Sequence, residues 1–489
     1  MPKITLRLYC HGLGDCHLLK FEADAGAPFW MLIDCGIHSS TKGGKALVRE
    51  VVEDIRSCTD RLDVVVGTHE HWDHNSGFIQ AQDLFENFEV GEVWLAWTEN
   101  PADDQAKALD KYKGDALAAV RGAAAALALD EGLSGAAERL GSLLGFVFGA
   151  TGDISRTARE NLRALSPVVR YLEPGQFAPL PAGLDDFRVY VLAPSRNPKL
   201  FGMVDSASET YSMGPQWSGL VGGLTNGLAI REGVLSPSSD PLAPFDSAVG
   251  IKLSDLLEGE VVYAPDDLDA RFFAEHYTGP NPAASATSTA AKLKAAKDDQ
   301  SWRRIDSDWL GASSELALQL DSRTNNTSLV LAIETVATGK VLLFAADAQV
   351  GNWKGWSEAK FKLLAGQEKP VEVADLLART VFYKVGHHGS RNATRGPGGL
   401  EAMSADDLIA FIPTDQVMAK KVGWSDIPAR ALLEHLGEKT KGRIVMSDSG
   451  WIQSGGARPQ GTNAAWFGGI EVGLSKVDPK RGLYVELTF

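Results

Sequence analysis

Apolar and polar residues alternate at the start of the chain, and farther on they give way to apolar runs that end in acids and histidines. Ile4 to Tyr9 and Cys16 to Phe21 carry apolar side chains at the two-residue period of half-buried strands, and Phe29 to Ile33 continues the pattern up to Asp34, Cys35 and Gly36. These three segments predict an antiparallel meander. Within Lys45 to Cys58, residues Ala46, Leu47, Val51, Val52 and Ile55 fall at helical spacing, and the run Leu62-Asp63-Val64-Val65-Val66 then reads as a buried strand. A strand, a helix and another strand in that order predict a layered core of the α/β or α+β class.

From about 102 to 170 the chain is Ala-rich and helical, centred on ALAAVRGAAAALAL from Ala116 to Leu129, with a Gly/Ser break before a second amphipathic stretch to Leu165. This predicts an inserted helical hairpin. Phe187 to Leu192 is patterned as a strand, after which Pro194 to about Asp299 is rich in Ser, Pro, Gly and Ala, as in a long loop partly ordered over a site as a lid. At 326 to 346 the segments NTSLVLAIET, ATGK and VLLFAAD have the pattern of a β-hairpin whose second strand ends in Asp347. A helix is expected around Ala359 to Leu364, then a strand from Thr380 to Val385 running into Gly386-His387-His388-Gly389-Ser390. A helix near Ile427 to Leu436 and strands at Arg443 to Met446 and Leu483 to Leu487 complete the expectation. The whole is read as one domain with its core at 1–98 and 322–489, a helical insertion at 102–170 and a loop-rich insertion or lid at 194–320.

A length of 489 residues with 44% hydrophobic and 23% charged content is that of an ordinary globular chain. The formal net charge of -15 repels phosphate backbones, so a nucleic-acid substrate would need a local basic groove. The N-terminal stretch has no uninterrupted apolar core and no small-residue cleavage site, and nowhere do about 18 apolar residues run together, which predicts a cytoplasmic protein with no membrane partner. The four cysteines, at 10, 16, 35 and 58, have no CxxC spacing and are expected to be reduced, with Cys16 and Cys35 as small core residues.

The densest chemistry is in GTHEHWDHNSGF, residues 67 to 78, where His69, Glu70, His71, Trp72, Asp73 and His74 follow a buried strand. In extended backbone, residues two apart point the same way, so His69 and His71 can grip one ion together. Past the turn, Asp73 and His74 can face a second. Imidazole nitrogen and carboxylate oxygen suit a borderline metal such as zinc. Asp347 as a bridging carboxylate, a histidine of the 387/388 pair, and Asp34 orienting a ligand histidine would complete a two-metal site.

The HEHWDH box resembles the signature of metallo-β-lactamase-fold hydrolases. The segments GLGDCHLL (12 to 19), LIDCG (32 to 36), NNTSLVL (325 to 331), VLLFAADA (341 to 348), KVGHHGS (384 to 390) and GRIVMSDSG (442 to 450) narrow the likeness to the ComEC-like branch. It covers residues 1 to 98 and 322 to 452. The resemblance implies a four-layer αββα sandwich and hydrolysis by a metal-bridging hydroxide. One ion, zinc or alternatively manganese, would be held by His69, His71 and Asp347, and a second by Asp73, His74, Asp347 and either His387 or His388. The other histidine of that pair would stabilise charge on the substrate or donate a proton, so Asp73, His387 and His388 are the catalytic candidates.

Two departures stand out. Many members of the wider superfamily supply another histidine to the first ion from the intervening segment, whereas here no histidine lies between His74 and His276. His276, in FFAEHYTGP, is one candidate to fill that place. Ala346 stands where the branch usually has glycine before the acid, which should only crowd the turn.

The resemblance and the two-ion chemistry favour a phosphodiester, nucleotide-derived or nucleic acid, with Ser390, Arg391, Asn392, Lys420, Lys421 and Trp424 as candidate phosphate or base contacts. The alternatives are an ester or lactone hydrolase on the same metals and a catalytically weak metal-binding partner protein. Which protein partners it has is left open by the sequence.

Overall fold

The alternation at the N-terminus becomes β1 (Lys3–Tyr9), β2 (Cys16–Glu22) and β3 (Phe29–Cys35), paired antiparallel in sequence order. In this computed structural model the described residues are 2–24, 26–128, 140–141, 153–203, 312–364, 368–421, 424 and 426–489. Beyond β3 the sheet continues in parallel through β4 (Arg61–Gly67), β5 (Glu89–Ala96) and β6 (Val169–Leu172). The apolar run of β4 is what a parallel strand covered on both faces requires. At the other edge β14 (Gly482–Thr488) pairs antiparallel with β1, and β13 (Glu471–Leu474) pairs with β14, giving eight strands.

A second sheet has six strands, in the spatial order Ile444–Met446, Ile409–Ile412, Thr380–Lys384, Lys340–Phe344, Val330–Thr335, Phe187–Ala193. Its strands β7 (Phe187–Ala193), β8 (Val330–Thr335) and β9 (Lys340–Phe344) are antiparallel. Then β10 (Thr380–Lys384), β11 (Ile409–Ile412) and β12 (Ile444–Met446) run parallel to β9. The protein is thus a mixed α/β structure with two multi-strand sheets.

Alternate side chains of both sheets enter one apolar cluster, with Leu6, Leu19 and Ile33 of the first sheet and Val191, Leu331, Phe344 and Phe411 of the second. The opposite face of the first sheet packs on the helix Gly44–Cys58 through Val48, Val51, Val52 and Ile55, with Cys16 and Cys35 in the same cluster. The opposite face of the second sheet is covered by Trp353, Leu376, Leu377 and Leu436. Burying each such large side chain stabilises the fold by about 1.5–3 kcal/mol. All four cysteines are free thiols. Among the described residues no helix is long and apolar enough to cross a membrane.

Several elements depart from the pattern reading. The helix expected at Ala359 to Leu364 lies upstream, at Val350–Gly355 followed by a short turn at Trp356–Glu358. Stacking of Trp353 on Trp356, ring centres 3.7 Å apart, fixes that helix, while Ala359 and Phe361 are buried from an irregular segment. The later helix is Arg430–Lys439, shifted past Pro428. Patterning does not single out β5, β6, β11 or β13. The four residues IAFI of β11 are too short an apolar run to tell from a buried helix turn.

The Ala-rich segment contributes the helices Asp104–Ala128 and Asp153–Ala164 and ends in β6, a strand of the first sheet. Most of the loop-rich stretch at 194–320, with His276, lies outside the described residues, but its end is helical, in Ala312–Asn325. By contacts the chain forms two compact units. One comprises Met1–Leu117, Gly141–Gly214 and Ala317–Phe489, and the other Ala118–Leu140 and Pro215–Leu316. Both sheets and every candidate site residue described below belong to the first.

Candidate metal centre

The carboxyl ends of parallel strands are where α/β sheets present their ligand-binding loops. Here β4 leads into Thr68 and His69, β9 into Asp347, and β10 into His387 and His388. His71 has extended backbone and precedes the short helix Trp72–Asn75, which carries Asp73 and His74. His69, His71, Asp73, His74, Asp347, His387 and His388 are all buried.

Two ligand groups form, and Asp347 belongs to both. The potential ligand atoms of His69, His74 and Asp347 lie within 4.8 Å of one another, as do those of Asp73, Asp347 and His388. His74 Nε2 is 3.2 Å from Asp347 Oδ2, and His388 Nε2 is 2.8 Å from Asp73 Oδ2. The His69 ring is closer to that of His74, at 4.2 Å between centres, than to that of His71, at 4.7 Å. His71 Nε2 instead lies 3.8 Å from Asp321 Oδ1. Several His and Asp groups are therefore positioned to hold a metal ion.

Between the paired histidines the geometry chooses. His388 Nδ1 donates to Pro413 O at 2.7 Å, which leaves Nε2 facing the carboxylates of the cluster. His387 joins neither group: its backbone N–H donates to Asp347 Oδ1 at 2.9 Å, and its Nδ1 lies 3.1 Å from Ser390 Oγ and 3.4 Å from Gln349 Nε2. It is the most exposed of the seven at 8%.

Asp34 holds the site from below. Its Oδ1 accepts from the Thr68 backbone N–H at 2.8 Å, and its Oδ2 accepts from Thr68 Oγ1 and from His74 Nδ1, each at 2.7 Å. That bond turns His74 Nε2 toward Asp347. Asp15, Asp34 and His74 form a third close group. Lys384, wholly buried, pairs with Asp15 Oδ2, donates to Ala346 O at 2.9 Å and sits 3.4 Å from Asp347 Oδ1.

Backbone strain collects here. Of the five described non-glycine residues with left-handed φ, four are Asp34 (56°), Ala346 (47°), His387 (44°) and His388 (53°), each worth on the order of 1–3 kcal/mol. Ala346 takes the conformation that makes glycine the natural choice at that place. Gly36 serves another need, because a Cβ there would run into the Asp73 backbone.

Charge shapes the protonation states. Burial pushes His69 well below the ordinary histidine range, aided by the neighbouring His74 and His71, and it takes His71 down to about 3. Burial also opposes charge on His74, but Asp347, Asp15 and Asp34 outweigh it and hold His74 well above its ordinary value. Burial, with Asp347 and Asp73 nearby, raises Asp321 to about 8. Asp347 stays well below the usual carboxylate range despite burial, because His74 and Lys384 face it. Among the described residues, buried His69 Nε2 and Asp73 Oδ1 have no hydrogen-bond partner. Such atoms are costly to bury unsatisfied, and a divalent cation would satisfy several together. The donor set fits zinc chemistry.

Glu70 points away into a buried charge network. It meets Lys113 at 2.9 Å and Arg159 at 3.0 Å, and Arg159 also meets Glu99 at 2.8 Å and Asp110 at 3.2 Å. The histidine loop is thereby tied to both described helices of the Ala-rich segment.

Of the remaining candidates, Ser390 donates to Asn392 at 2.7 Å, Lys420 and Lys421 are exposed on a short helix, and Trp424 packs edge-on to His38. Arg391 lines a cavity of about 190 Å³ with Thr394, Leu432, His435 and Lys439. Sequence reasoning missed Asp15 and Lys384, although both lie in segments singled out above, and it missed Asp321. A lysine inside the apolar strand TVFYK was the available signal for the first pair. The chain matches no family model and no curated protein.

Proposed function

We propose that this chain is a metal-dependent hydrolase with the metallo-β-lactamase sandwich of the ComEC-like branch, that it works with two divalent cations, zinc in first place, and that its substrate is a phosphodiester. The observation that carries the reading is the convergence on Asp347 of two His/Asp groups drawn from loops far apart in the chain. Two apposed sheets with helices on their outer faces agree with the proposed sandwich. The preference for a phosphodiester rests on the six ordered segments of the resemblance.

His69, His74 and Asp347 would hold one ion, with His71 beside them, and Asp73, His388 and the shared Asp347 the other. Such cations lower the pKa of water and offset charge growing on phosphoryl oxygens. The chain's own residues supply alignment. Asp34 fixes His74 and Pro413 fixes His388, so neither ring has to reorganise when substrate arrives. Lys384 offsets the negative charge of Asp15 and Asp347 from beneath. His387, outside both groups and the least buried of the set, would stabilise a substrate oxygen or hand a proton to the leaving one.

The test is metal quantitation on the purified protein together with turnover of bis-p-nitrophenyl phosphate and of a lactone panel. Two equivalents of zinc or manganese, with phosphodiester turnover lost in Asp347→Ala, are expected. Turnover confined to lactones would overturn the substrate, and one inert ion would favour a metal-binding scaffold.

A further inference from the structure

The sequence leaves the first ion short of a ligand, and His71 stands outside both tight groups, 3.8 Å from Asp321 Oδ1. That separation is too long for a hydrogen bond. It is close to the spacing of two ligands on one tetrahedral zinc, whose donor atoms about 2.1 Å from the metal lie about 3.4 Å apart.

Asp321 is held for this position by the fold. It sits near the end of the helix Ala312–Asn325, and its Oδ2 accepts from Asn325 Nδ2, one turn on, at 3.3 Å. Its other oxygen, Oδ1, is buried and has no hydrogen-bond partner. Just past the helix, Leu329 N–H donates to Thr68 O at 2.8 Å, pinning this segment to the residue before His69. A carboxyl group that only filled space would not be kept 92% buried with one oxygen bare and the His71 imidazole 3.8 Å in front of it.

The geometry points to Asp321 as a direct ligand of the first ion, standing beside His71 in the place where a further histidine is usual. This rests on the reading above that the cluster binds metal. The first site would then be richer in oxygen than a three-histidine site, which shifts its preference toward harder cations such as manganese.

The experiment compares wild type, Asp321→Asn and Asp321→Ala as full-length protein, stripped with chelator and titrated with zinc against a chromophoric competitor, then with cobalt(II) followed by its visible absorption. Circular dichroism checks each fold, and Asp321→Asn retains the side-chain volume if the alanine variant unfolds. Wild type is expected to bind two equivalents. In the variants one of them should weaken by more than about 100-fold, the upper range for groups that touch the metal only through another residue. The visible band of that cobalt ion should change, and Asp321→His should recover the lost equivalent. Two equivalents with unchanged affinity and spectrum in Asp321→Asn would overturn the assignment while leaving the metal centre standing. Wild type that takes up no metal would overturn both.

Discussion

His388 Nε2 lies 2.8 Å from Asp73 Oδ2 although 315 residues separate the two in the chain. Neither residue could be brought there without the other's sheet in register, so this contact reports on the apposition of the two sheets as directly as it reports on chemistry. His388→Ala should remove metal affinity by more than about 100-fold, whereas His387→Ala should keep the metal and lose turnover. Metal content after gel filtration separates them, and equal metal loss in the two variants would contradict the assignment.

Lys384 pairs with buried Asp15 and faces Asp347 as well. Removing one partner of a buried charge group costs about 3–5 kcal/mol. Lys384→Met should therefore lower the unfolding free energy by that amount in metal-free protein, as read by urea denaturation. A change within about 0.5 kcal/mol would mean that the lysine is dispensable.

Ala346 is in the left-handed region at φ 47°. An alanine there is strained by about 1–2 kcal/mol, part of which glycine returns to the unfolded chain as added freedom. Ala346→Gly should raise the stability by about 0.5–1 kcal/mol with metal affinity unchanged, and thermal unfolding with and without zinc checks both.

Glu70 is driven down to about 2 from its ordinary 4.5: burial works the other way, but Lys113 and Arg159 outweigh it. A carboxylate lowered on folding contributes stability that is present above its unfolded value and is lost as pH falls through the folded one. The window is therefore about pH 4.5 to 2, and the contribution at neutral pH is about 3 kcal/mol. Wild type should lose that much more stability than Glu70→Gln on acidification across the window. Parallel curves for the two would show that the network contributes nothing there.

Much of the site could be read from strand ends. An apolar run that stops at an acid or a histidine announces a loop at a sheet edge, and this exposed the loop from His69 to His74, Asp34, Asp347 and the 387/388 pair. Choosing between adjacent histidines was beyond any periodicity argument, because the decision lies in two consecutive left-handed residues and in the carbonyl of Pro413. Asp321 was invisible for a different reason. An acid within LALQLDSRTN resembles the wet side of a helix, whereas in the fold Asp321 is buried beside His71. Of the fold, the meander, the first helix and the hairpin before Asp347 were legible, whereas β11 and β13, each four residues long, carried too few positions to show a period.

His74 and Asp347 meet at 3.2 Å across the whole of the intervening chain. An ion gripped by both would act as a buckle on a very long belt. Fastening the two ends of such a span removes more freedom from the unfolded chain than clasping a short one, yet each further doubling of its length adds only about 0.6 kcal/mol. Lineages of this protein could let that belt out or take it in with little effect on how firmly the buckle holds.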